Sequence, residues 1–131
     1  RHPDHGRGGA LVAEACFLSG LRRIQTEQDG RDQEAWRPTT VLHAIQDHWL
    51  DPNLIVDVTP FWAKKEEALR CFTSQFHDPA STEPSSPISS PDFLPFLDAR
   101  ARQFGRLIGT TYGEGFTVVR PPAVHDLLVL G

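Results

Sequence analysis

The chain has 131 residues, 39% hydrophobic and 23% charged, with a net charge of −4. That size suits one domain with a buried core, and the acidic balance gives no electrostatic footprint for nucleic acid or an anionic membrane. No apolar run approaches the roughly 20 residues that span a bilayer, and the residues carry no signal-peptide pattern.

The first five residues, Arg1-His2-Pro3-Asp4-His5, form a compact cluster at the mouth of a predicted helix. Neutral imidazole is the commonest protein ligand for zinc, and a carboxylate two positions from a histidine can orient its ring. The alternative is that Asp4 caps the helix and both histidines are solvated polar residues at its entrance. The helix itself is expected over residues 6–20, with Leu11, Ala15 and Leu18 at i, i+4, i+7 and Val12 and Cys16 beside them. Phe17 and Ala13 occupy the other side, so this helix is apolar nearly all round and should be packed on more than one face. Gly6, Gly8 and Gly9 cost helix propensity, about 1 kcal/mol each relative to Ala, which suggests close backbone approach to a ligand or strand. Gly20 is a candidate C-cap.

Residues 22–38 are polar and carry Asp29-Gly30, a turn signal, so they read as a surface loop or flap. A strand is expected over 39–46, and a second over 53–59, rich enough in Ile and Val to be central. Thr59-Pro60 starts a helix whose apolar stripe is Phe61, Ala68, Leu69, Phe72 and Phe76. Residues 77–91 form a Pro/Ser-rich loop, suited to the rim of a site. Asp92 caps a third helix running to about Ile108, with Leu94, Leu97, Ala101, Phe104 and Ile108 inward, and Gly109 ends it. Residues 110–115 read as a turn in which Glu114 pairs with an arginine. A short strand over 116–120 and an apolar tail over 127–130 follow.

The pattern indicates an α/β layer structure whose two strong strands and one terminal strand are too few to cover three apolar helices. Part of the sheet is therefore expected to lie outside this sequence. The lack of methionine and the start at Arg1 favour the C-terminal portion of a longer protein. Cys16 and Cys71 each sit in an apolar helical pattern and read as reduced core thiols of a cytoplasmic protein.

Other candidates are weaker. His77-Asp78 and His125-Asp126 echo a metal phosphohydrolase doublet but fall outside the predicted helices, so they read as surface residues. His43 reads as a sheet-face histidine, and Asp47 and His48 sit at a strand exit. Arg1 and Arg37 could clamp an anionic substrate bidentately. Zinc needs three or four protein ligands, and no second tight cluster of His, Cys and Asp accompanies the first.

Taken together, Arg1-His2-Pro3-Asp4-His5 running into Leu11-Val12 and Ala15-Cys16-Phe17-Leu18-Ser19-Gly20-Leu21 resembles the LmbE/PIG-L zinc-dependent N-acetylglucosamine deacetylases, nearest to the bacillithiol-biosynthesis branch. Matches continue through Ile55-Val56-Asp57-Val58, Ser74-Gln75-Phe76, Ala99-Arg100-Ala101-Arg102, Gly105, Gly109 and Tyr112-Gly113-Glu114-Gly115-Phe116. The resemblance implies that these residues are the C-terminal portion of one deacetylase domain with a Rossmann-like fold, its N-terminal strands missing from this chain. It implies that His5 binds zinc, that His2 is general acid and oxyanion stabiliser, and that Asp4 orients His2. It also implies that the remaining ligands and the general base come from an Ala-His-Pro-Asp-Asp motif outside these residues. Arg1 and Arg37 would contact a small-molecule sugar conjugate, N-acetylglucosaminyl malate, and the protein would be a hexamer with neither nucleic-acid nor membrane partners.

Overall fold

The computed structural model describes residues 2–129. It is a mixed α/β structure with antiparallel strand pairing. Among the described residues no helix is long and apolar enough to cross a membrane. The chain divides into two compact units: residues up to Asn53 together with those from Phe116 onward, and Leu54–Gly115.

The first unit opens with α1 (Pro3–Leu18), which starts three residues ahead of the expected boundary. Pro3 explains this: its ring presets a helical φ, and the N–H it lacks would have no partner in a first turn. His2, with extended backbone, is the N-cap, and its side chain accepts the Asp4 amide. At the other end Ser19 is the C-cap in right-handed conformation, so Gly20 does not stop the helix by a left-handed turn as expected. Gly20 instead leaves room for Arg37, whose side chain would collide with any Cβ there. The last turn of α1 carries no basic residue of its own. Arg37 supplies that charge, donating from Nη2 to the Phe17 carbonyl at 2.9 Å and lying 4.6 Å over the Phe17 ring. A cation is favoured where helix carbonyls lack partners.

No residue of α1 is buried, and Leu11 and Phe17 are 66% and 56% exposed. The expectation of packing on more than one face is not met. This unit offers three strands of three residues each and the end of a fourth, too little apolar surface to cover 16 helical residues.

The stretch expected as a loop contains a hairpin, β1 (Thr26–Gln28) and β2 (Arg31–Gln33). Asp29 and Gly30, with φ of 53° and 73°, form its two-residue turn. Two positive φ values in succession match the twist of a tight hairpin, and every hairpin strand residue is exposed. The strand expected over 39–46 shrinks to β3 (Leu42–Ala44), paired antiparallel with the end of β5 (Gly113–Val118) through Leu42↔Val118, His43↔Thr117 and Ala44↔Phe116. Ile45, just after β3, is buried.

The second unit begins with β4 (Leu54–Asp57), a 3-10 turn Thr59–Phe61 and α2 (Trp62–Arg70). The Asp57 carboxylate accepts the Thr59 amide at 2.9 Å. Hydrogen bonds from the Thr59 side chain and backbone hold the Asp57 carboxyl below its usual range. The expected stripe does not form. The tighter 3-10 turn changes the angular phase, so Phe61 is exposed and Trp62 is buried, and α2 stops before Phe72. Cys71 follows it exposed and Cys16 is half-buried, both as free thiols, so neither reaches the core expected of it. Residues 77–91 contain no helix or strand, as expected of a loop.

Helix α3 (Phe93–Leu107) follows, with Asp92 at its N-cap position but without a side-chain capping bond. Its inward face is Ala101, Phe104 and Gly105, with Leu94 and Leu97 half-buried and Ile108 exposed beyond its end. Gly109, at φ 76°, carries the chain out of the helix. The strand expected from 116 begins at Gly113, because two glycines let it run against the helix. A Cβ at Gly113 would meet the backbone of Gly105 at 2.7 Å, and one at Gly115 would meet the Phe104 ring at 2.8 Å. Strand β5 has a partner on each side, in the order β3-β5-β4, so β5 holds the central place expected of β4.

Candidate functional site

Helix α1 presents His2, Asp4 and His5 in its cap and first turn, where the Asp4 amide donates to His2 Nδ1 and the His5 amide to the His2 carbonyl. One nitrogen of His2, Nδ1, lies 3.3 Å from the Asp4 amide nitrogen and 3.3 Å from Asp4 Oδ2. A neutral ring with Nδ1 unprotonated accepts the amide N–H. A ring carrying hydrogen on Nδ1 donates to the carboxylate instead. Asp4 is thus positioned to orient His2, while His2 rather than Asp4 provides the helix cap. Arg7 is a more distant partner for Asp4, at 3.9 Å, and both the His2 and Asp4 side chains are mostly exposed.

His5 lines an open hollow of about 440 Å³ in the first unit. Gly6 and Gly9 of α1, His43 of β3, and Asp47 and His48 just beyond β3 share that lining. A Cβ added at Gly9 would stand 3.5 Å from His43 Nδ1, so the bare helix backbone there faces the His43 ring. Gly9 therefore neighbours His43 at a distance that would also admit a side chain, and nothing stands within 4 Å of a Cβ at Gly6 or Gly8, so the glycines do not mark the expected close backbone approach. His5 and Gly9 are four residues apart and share a helix face, which puts His43 on the side that His5 occupies.

Of the two arginines predicted for the site, Arg37 is not gathered there. Arg37 holds the Phe17 carbonyl, twelve residues along α1 from His5, about 18 Å of helical rise away. Arg1 lies outside the described residues. The two His-Asp doublets take local roles: Asp78 accepts the Ala80 amide and Asp126 the Leu128 amide, each at 2.9 Å. Among the described residues no group of three or more His, Cys, Asp or Glu is placed to hold a metal ion.

A separate polar and aromatic cluster occupies the second unit. Trp62 stacks on Tyr112 with ring centroids 4.6 Å apart. The Tyr112 hydroxyl accepts from Arg102 Nη2 at 2.5 Å, and Arg102 Nε donates to Asp98 Oδ2 at 2.7 Å. The Arg102 hydrogen bond holds the Asp98 carboxyl below its usual range, and desolvation pushes the Tyr112 phenol upward. The Trp62 indole N–H is buried and reaches toward Asp98 without closing a hydrogen bond. Glu114 pairs with Lys65 at 2.7 Å, not with the expected arginine. The polar groups of this cluster are directed at its other members, so it acts as a brace.

The sequence singled out His2, Asp4 and His5 but placed His43 on a sheet face only. No sequence signal pairs His43 with His5; of the glycine run only Gly9 faces the His43 ring. Trp62 was missed because a regular helix starting at Thr59 would have turned it outward.

No family model matches the chain. Among solved structures, the conserved protein TT1542 from Thermus thermophilus has a similar fold, with a TM-score of 0.74 and 24% identity over 96% of this chain. The chain spans 49% of that protein's length.

Proposed function

We propose that this chain is the C-terminal portion of a zinc-dependent N-deacetylase of the LmbE/PIG-L type, with a Rossmann-like domain completed elsewhere. Its reaction is hydrolysis of the N-acetyl group of an N-acetylglucosaminyl conjugate, N-acetylglucosaminyl malate being the substrate to test first. The observation that carries this reading is the pairing of His2 with Asp4 at the mouth of α1, one turn from His5 at the hollow. The similarity to a protein about twice as long is compatible with a site shared between this portion and another.

The donor set fits zinc only in part. Three or four protein ligands are needed, and the described residues bring no such group together. His5 would supply one imidazole, and the others would come from outside this chain. Zinc, when bound, lends Lewis acidity to the acetyl carbonyl and to the hydrolytic water.

The remaining steps belong to the residues at the helix mouth. Asp4 favours the tautomer and orientation in which His2 carries hydrogen on Nδ1. The protonated His2 ring then presents a second N–H at Nε2, which stabilises developing negative charge on the acetyl oxygen and protonates the departing amine.

The test is metal analysis and a deacetylase assay on the complete protein, with His5→Ala beside it. Loss of zinc and of turnover in the variant is expected; unchanged zinc content and turnover would overturn the reading. A second reading, a non-catalytic binding or assembly module that keeps the fold, draws on the exposed apolar surface of α1. It requires a complete protein without the Ala-His-Pro-Asp-Asp motif.

A further inference from the structure

The hollow beside His5 holds an imidazole to which the proposed reaction assigns no role. His43 is half-buried on β3, and among the described residues its ring enters no hydrogen bond or ion pair. Trp62 Nε1 is the one sealed, unpartnered side-chain nitrogen among the described residues, so the His43 ring nitrogens are not sealed from solvent, and His43 lines the hollow. Gly9 of α1 lies beside the ring, a Cβ there standing 3.5 Å from His43 Nδ1.

The lining also indicates what such a ring would hold. No lysine or arginine contributes to it, while Val12, Leu42 and Leu50 supply apolar walls beside the imidazoles. A carboxylate would find no guanidinium or ammonium there. A hydroxylated ring finds both things it needs: apolar surface for its C–H face, and groups that donate and accept. Neutral imidazole has one donor and one acceptor, the complement of a hydroxyl group. A volume of about 440 Å³ lies within the range of small-molecule sites.

We propose that His43 binds a hydroxyl of the substrate's sugar ring in the hollow that it shares with His5. This rests on the deacetylase reading, and it assigns the hollow to the sugar rather than to the acid portion of the conjugate.

The experiment uses the complete protein with free N-acetylglucosamine as the probe, following amine release and equilibrium binding by calorimetry. His43→Ala should raise KM and Kd about tenfold, the equivalent of one hydrogen bond, with kcat within about twofold. His43→Gln, which keeps a donor and an acceptor, should recover most of the loss. Thermal midpoints show whether each variant folds, and if His43→Ala does not, His43→Gln and His43→Phe replace it as the deciding pair. Wild-type turnover with unchanged KM and Kd in the variant overturns the role of His43 and leaves the deacetylase reading standing. Binding without turnover removes the deacetylase reading, and the Kd of the variants still decides His43. Neither binding nor turnover overturns both.

Discussion

The two units differ in how their helices are used. In the second, α3 buries Ala101, Phe104 and Gly105, and Phe104 is only 2% exposed. In the first, α1 is as long and carries as many apolar residues, yet none of them is buried. Hydrophobicity alone therefore does not decide which helix anchors a core. What decides is whether a complementary surface of sufficient area lies within the same unit, and β5 with its glycines supplies that to α3. The second unit is stabilised by its own packing, whereas α1 is held by its ends, through His2 at one and Arg37 at the other.

The sharpest way to break this contrast is Phe104→Ala. Cavity formation at a fully buried aromatic costs about 3–5 kcal/mol, and chemical unfolding should show a loss of that size. Gly113→Ala comes next, at about 1–3 kcal/mol, because the new methyl meets the backbone of Gly105 and Phe104 as well as the Ile55 side chain. Urea midpoints compared with Gly6→Ala, where a Cβ meets open space, would isolate the steric part.

Acid provides a smaller probe. The folded-state pKa of Asp98 is lowered chiefly by its hydrogen bond from Arg102. Its contribution to stability is therefore present above the unfolded aspartate pKa of about 3.9 and is lost as pH falls through the lower folded value. Unfolding followed from pH 6 to pH 2 should show this loss in the wild type and a reduced loss in Asp98→Asn. The smallest effect is expected at α1, where Leu11→Gln should change the stability of this chain by no more than about 0.5 kcal/mol. The same substitution costing several times more in a longer form of the protein would show that α1 is covered there.

Legibility in the sequence follows the same divide. The third helix was readable because Asp92, Pro95, Gly109 and the Ala101–Phe104 spacing all agree, and packing then respects that periodicity. The start of α1 was read too late because the glycines obscured a turn that Pro3 had already set. The hairpin was invisible to hydrophobic alternation, since its strands have no buried face, and only Asp29-Gly30 announced it. At the candidate site, the His2–Asp4 contact was legible because it is local. The proximity of His43 to His5 was not, because it depends on how a strand far along the chain lies beside α1 at Gly9. Arg37 was misleading for the opposite reason, a residue apt for anions whose guanidinium is engaged by a helix carbonyl.

The contact between Gly105 and Gly113 carries a consequence for how this protein can vary. Most clashes created by a larger residue can be relieved by shrinking its neighbour, which gives a lineage a route through compensating pairs. Here a Cβ at Gly113 would meet main-chain atoms of Phe104 and Gly105, and one at Gly105 main-chain atoms of Thr110 and Thr111, so shrinking a neighbouring side chain relieves neither backbone clash. Relief would require moving a whole helix away from a strand, and a genetic search for suppressors should find them at more distant positions or not at all.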